Sequence, residues 1–261
     1  MNTKNYREGY KLDLDTASLM KTFAILLVVI GHILKCFTSE QYVEGEAPIS
    51  SMATLGMRFI YGFHMPLFVF ASAVIYESLY QYCGKYRNYT IDILNKAKRL
   101  LIPYFFVGCA YIVPFIYFVN PERGYKSALM ELLLFKEPMN LWFLAMLFEI
   151  FLIVFTLRKF IKNTNYFSIA LIFLSAILKL LAPVVYKIFQ SPLFLGYFEL
   201  GHLSSLLIYF VIGCLFVRYR KKVVDYITKF LYPLTASIVI VLGITNISSG
   251  FLNEITLSMG G

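Results

Sequence analysis

Three histidines and a few other charged side chains interrupt the apolar stretches of this 261-residue chain. The first group is Lys21-Thr-Phe-Ala-Ile-Leu-Leu-Val-Val-Ile-Gly-His32. On an α-helix turning about 100° per residue, these eleven steps bring Lys21 and His32 back to one face, about 16 Å apart along the axis. They are too distant to touch, so they can line the two ends of one polar path, and Gly31 leaves room beside His32 for another helix or a substrate. A snorkelling lysine and a packing histidine would produce the same spacing. The second group is Tyr61-Gly-Phe-His64-Met-Pro66. Pro66 removes a backbone N–H and frees a carbonyl one turn earlier, to which His64 can donate; next to His32, the same ring would orient it or share its proton. The third, Lys96-Ala-Lys-Arg99, puts two cations three residues apart on one helical face. That arrangement suits a diphosphate or a ribose phosphate, and equally an anionic lipid surface.

Other polar residues are sparser. Glu149, in the fourth apolar run, can pair with a histidine or with Lys179, or can stay a neutral, hydrogen-bonded acid. Glu199 and His202 stand three apart and form either a carboxylate–imidazole pair or ordinary interfacial groups; Trp142 suits an interfacial aromatic belt, and Arg58 an anionic group near the surface. Cys36, Cys83, Cys109 and Cys214 are scattered without a C-x-x-C spacing, which argues against zinc and disulfides. No metal site, redox nucleotide fold or glycine-rich phosphate loop is indicated.

The elements that must carry these residues follow from composition. Hydrophobic residues make up 59% of the chain and charged residues 15%, and the apolar residues occur in long runs, which excludes disorder and points to the bilayer as solvent. Runs near 19–37, 56–77, 100–119, 140–157, 166–187, 201–217 and 230–248 predict an all-α bundle of about seven transmembrane spans. A charged group inside such a span costs roughly 2.5–3.5 kcal/mol, so each is a functional candidate. The net charge of +9 admits a nucleic-acid partner, but most basic residues fall in alternate connections, before the first run and after the second, fourth and sixth. The positive-inside rule then places the N-terminus in the cytoplasm and accounts for the charge without nucleic acid. The polar start, Met1 to Asp15, lacks the look of a signal peptide, and without visible linkers or repeats residues 1–261 read as one membrane domain.

Taken together, "LMKTFAILLVVIGHIL", "FHMPLFVFASA" from Phe63 to Ala73, "KAKRLLIPYF" from Lys96, "LWFLAML" from Leu141 and "GHLSSLLIYFVIGCLF" from Gly201 resemble acyltransferase family 3. These are integral-membrane acyltransferases that modify bacterial surface polysaccharides and related acceptors. Ser18, Thr22 and Ala73 depart from the residues common at those places. The family usually has about ten helices, so the resemblance implies that about three C-terminal spans are missing here. It also implies transfer from cytoplasmic acyl-CoA, most often acetyl-CoA, to a hydroxyl of an extracytoplasmic saccharide or cell-envelope glycan. In that reading Lys21, Lys96 and Arg99 bind the CoA moiety, and His32 acts as general base or accepts the acyl group. His64 or Glu149 orients the reacting imidazole. The competing readings are a transporter or flippase for a glycan, lipid or small solute, built on the same buried polar residues, and a non-catalytic membrane partner.

Overall fold

The computed structural model describes residues 3–35, 51–133, 135, 141–188, 200–226 and 229. Regular structure in these residues is helical throughout: α1 (Thr3–Lys35), α2 (Ser51–Cys83), α3 (Tyr89–Val107), a π-helical turn (Gly108–Ile112), α4 (Val113–Val119), a short 3-10 turn (Pro121–Arg123), α5 (Tyr125–Leu133), α6 (Trp142–Phe160), α7 (Thr164–Ile188) and α8 (Leu200–Tyr226). Five stretches are long and apolar enough to cross a membrane: Asp13–Leu34, Leu55–Cys83, Tyr89–Val119, Thr164–Val184 and His202–Tyr226. Seven were expected from the sequence. The run at 140–157 became α6, whose 19 residues include Glu149, Arg158 and Lys159, too much charge to qualify on composition. The run at 230–248 lies outside the described residues. Internal contacts divide the chain into two units, Met1–Val217 and Arg218–Gly261. Their boundary falls beside Tyr219, where α8 leaves helical geometry (φ −105°, ψ 15°).

Within the first unit the packing follows from where small and aromatic residues fall. Gly31 lets α1 approach α2 closely, since a Cβ there would lie 3.1 Å from both Ile60 and Tyr61. Gly213 does the same for α8, whose missing side chain would meet the Phe70 carbonyl oxygen at 2.7 Å and the Ala73 Cβ at 2.6 Å. The main core lies between α2, α6, α7 and α8, with the rings of Tyr76, Phe151, Phe155 and Phe210 at its centre. α6 gives most of its buried residues to this core; of its charges Arg158 is buried, Glu149 half-buried and Lys159 exposed. Outward faces are apolar instead: Leu19 is 71% exposed, and Phe23, Leu26, Val29, Ile30 and Ile33 are exposed along the same helix. Such a surface is stable only against hydrocarbon.

The α2–α3 connection ends in a cap that fixes the start of α3. The Asn88 side chain accepts the Ile91 N–H at 3.3 Å. Two residues earlier, Tyr86 sits at φ 61°, a left-handed conformation that costs a bulky side chain about 1–3 kcal/mol and is typical of functional sites.

Candidate functional site

Lys21 of α1 and Lys96 and Arg99 of α3 come together in the first unit. Each of the two lysines lies within electrostatic reach of the other and of Arg99. Lys96 Nζ stands 3.7 Å from the Phe151 ring centroid and 5.6 Å from that of Tyr86, and Lys21 Nζ stands 5.2 Å from that of Phe68. Aromatic faces are the main support of these cations. Asp92 lies within reach of Lys96, yet among the described residues none of the three cations makes an ion pair. Lys96 and Arg99 line an open pocket of about 700 Å³ with Lys85, Tyr86, Arg87 and Asp92. Burial holds the Tyr86 phenol above its ordinary pKa, so at neutral pH it remains a donor at the pocket wall. Such a cluster repels itself and is relieved by a polyanion.

At the other end of the α1–α2 contact, Tyr61 joins the two histidines. Its hydroxyl lies 3.1 Å from His32 Nδ1, and its ring meets that of His64 edge-on at 5.3 Å. His64 is 4% exposed, and its Nδ1 contacts the Ile60 carbonyl at 2.6 Å. A carbonyl only accepts, so Nδ1 carries the proton and a neutral ring keeps Nε2 as acceptor. The sequence suggested a carbonyl freed by Pro66; that would be the carbonyl of Gly62, whereas the ring bonds one a turn from its own backbone. Tyr61, His64 and Phe68 recur at three and four residues on α2, so they form one stripe against α1. The stripe runs from His32, beside Tyr61, towards Lys21, beside Phe68.

The remaining sequence candidates lie elsewhere. Glu149 is half-buried on α6, the helix that supplies Phe151 to Lys96. Lys179 is exposed on α7 and makes no ion pair among the described residues, so it does not pair with Glu149. His202 packs near Trp142, with ring centroids 6.0 Å apart, while Glu199 lies outside the described residues. Arg58 is exposed. Cys83 and Cys109 are exposed and Cys214 is buried, all as free thiols, and Cys36 lies outside the described residues. Among the described residues no three His, Cys, Asp or Glu side chains gather as a metal-binding group.

Sequence reasoning missed two features. Tyr61 was legible only as a residue on the same helical face as His64. The other is a buried ion pair between Glu77 of α2 and Arg158 of α6. Thr164 donates to Glu77 Oε1 at 2.8 Å and Gln81 donates to the same oxygen at 2.6 Å. Arg158 Nη1 donates to the Lys162 carbonyl at 3.2 Å, and its guanidinium lies 3.9 Å from the Phe167 ring centroid. Both residues stand at the ends of apolar runs, where charge ordinarily reads as interfacial, so only their tertiary pairing marks them.

A family model described as an acyltransferase domain, that of acyltransferase family 3, matches residues 13–259. The chain belongs to acyltransferase family 3. It is a multi-pass membrane acyltransferase, and the matched region contains all six candidate residues, from Lys21 to Glu149. No curated protein and no solved structure matches the chain. The family acyltransferase thus presents a cation-lined pocket on the α2–α3 connection and α3, and a histidine pair joined by Tyr61 at the α1–α2 contact.

Proposed function

We propose that this family member is an O-acyltransferase of the cell membrane that moves an acyl group, most simply acetyl, from cytoplasmic acyl-CoA to a hydroxyl of an extracytoplasmic saccharide or cell-envelope glycan. Residues 1–261 act in this reading as one membrane domain. The observation that carries it is the α1–α2 stripe, which has His32 at one end and, about 16 Å away, Lys21 at the other, within electrostatic reach of Lys96 in the wall of the open pocket. Lys21, Lys96 and Arg99 take the phosphates of CoA, and the thin pantetheine arm follows the stripe and delivers the thioester to His32. With Nδ1–H donating to the Tyr61 oxygen, His32 Nε2 is the basic nitrogen. It accepts the proton of the acceptor hydroxyl as that oxygen attacks the thioester carbonyl; the C–S bond breaks and the CoA thiolate recovers the proton. In the two-step variant, His32 Nε2 attacks the thioester carbonyl and expels the CoA thiolate; the acceptor hydroxyl then attacks the acyl-imidazole, the C–N bond breaks, and the hydroxyl proton passes to the thiolate. Tyr61 and His64 orient the imidazole.

The test is to incubate proteoliposomes containing the full chain with radiolabelled acetyl-CoA and a mixed envelope-glycan fraction and to follow label on carbohydrate. Wild type transfers label, and His32→Ala loses about 100-fold to 10,000-fold in rate, the usual contribution of a general base, while inserting normally. A purified His32→Ala protein with full activity would remove His32 from the reaction.

A further inference from the structure

Beside the 700 Å³ pocket lies a second one of about 190 Å³ that shares Tyr86, Arg87 and Asp92 with it. It is too small for a whole CoA but suits a nucleobase with its phosphate. Its cations come from separate parts of the chain: Arg87 from the α2–α3 connection, Lys159 from the end of α6 and Lys162 from the turn that follows. Arg158 also lines it but is taken up by Glu77, and through the Lys162 carbonyl it fixes the turn that carries Lys162. Arg87, Lys159 and Lys162 are exposed and make no ion pair among the described residues; the one carboxylate in the wall belongs to Asp92. Two phenol rings accompany them: the Arg87 guanidinium lies 5.5 Å from the Tyr80 ring centroid, and Lys159 Nζ lies 5.1 Å from that of Tyr89.

Cations backed by aromatic faces bind a planar ring carrying a phosphate, the ring by stacking and the phosphate by charge. A phosphomonoester carries about −1.5 to −2 at neutral pH, which matches several cations better than one. We propose that the smaller pocket binds the 3′-phosphorylated adenosine end of the donor, with Arg87, Lys159 and Lys162 around the 3′-phosphate and Tyr80 and Tyr89 beside the adenine. The diphosphate then falls in the larger pocket, where Lys96 and Arg99 stand. This subsite rests on acyl-CoA being the donor. The chemistry recognised is a phosphate, which an anionic lipid headgroup also offers, so the experiment separates the two sources.

The measurement is equilibrium binding of CoA and of 3′-dephospho-CoA to the full chain in phosphatidylcholine nanodiscs. Wild type prefers CoA by about tenfold or more, the value of one or two charge-assisted hydrogen bonds. Lys159→Ala/Lys162→Ala brings that preference to within about twofold while binding of dephospho-CoA, which also reports folding, stays unchanged. A variant that keeps the preference, or that weakens both ligands equally, overturns the subsite. Adding phosphatidylglycerol leaves the wild-type preference in place; its disappearance would assign the pocket to lipid headgroups and overturn the proposal. Failure of wild type to bind either nucleotide would instead remove the donor assignment itself, a result distinct from a lost 3′-phosphate preference.

Discussion

Two sets of cations stand beside adjoining pockets, and the protein treats them in opposite ways. Arg158 is buried with Glu77, braced by Thr164 and the Lys162 carbonyl, and enclosed by Tyr80 and Phe167. Its charge is satisfied inside the protein and ties α2 to α6 and to the turn before α7. Lys21 and Lys96 lie against aromatic faces, Lys96 and Arg99 line an open pocket, and the three are within reach of one another with no ion pair among the described residues. A charge neutralised internally is part of the scaffold. Charges held together against their repulsion are available to an anion from outside, and this distinction separates architecture from binding site where residue type does not.

The largest effect should come from breaking the satisfied set. Arg158→Ala leaves the Glu77 carboxylate buried without its partner, and thermal unfolding in detergent should show a loss of about 3–5 kcal/mol. A variant as stable as wild type would deny Arg158 its scaffold role. Next, Arg99→Ala should weaken donor binding by about 10-fold to 100-fold, equivalent to one or two charge-assisted hydrogen bonds. Its stability should hold or rise, since one repelling charge is gone; a fall like that of Arg158→Ala would erase the contrast. Smaller again, Tyr61→Phe removes the hydroxyl at His32 Nδ1 and should lower kcat by about 2-fold to 10-fold, as expected for a single neutral hydrogen bond. An unchanged kcat would make Tyr61 a packing residue only.

Much of this was legible in the sequence because it depends on local periodicity. The helical class, Gly31 as a point of close helix approach, and the shared face of Lys21 and His32 all follow from 3.6-residue spacing along one element. The meeting of Lys21 with Lys96 and Arg99 does not, because nothing in the spacing within α1 or α3 says that the two helices bring these residues within reach of one another. Glu77 and Arg158, 81 positions apart, were hidden for the same reason. Pro66 misdirected the reading of His64: the proline predicts a freed carbonyl, but the ring's reach on a regular helix selects Ile60. Glu149 was legible as a candidate and the basic residues that follow the run at 140–157 as a topology signal, but the burial of Arg158 against α2 was not.

The most direct test of the two-ended account is a steady-state comparison of Arg99→Ala and His32→Ala with acetyl-CoA as the varied substrate, alongside equilibrium CoA binding to each. The account predicts a raised KM and largely preserved kcat for Arg99→Ala, and a collapsed kcat with wild-type CoA affinity for His32→Ala. Two variants that alter the same parameter in the same way would contradict it, because donor capture and acyl transfer would then not lie at opposite ends of the α1–α2 stripe.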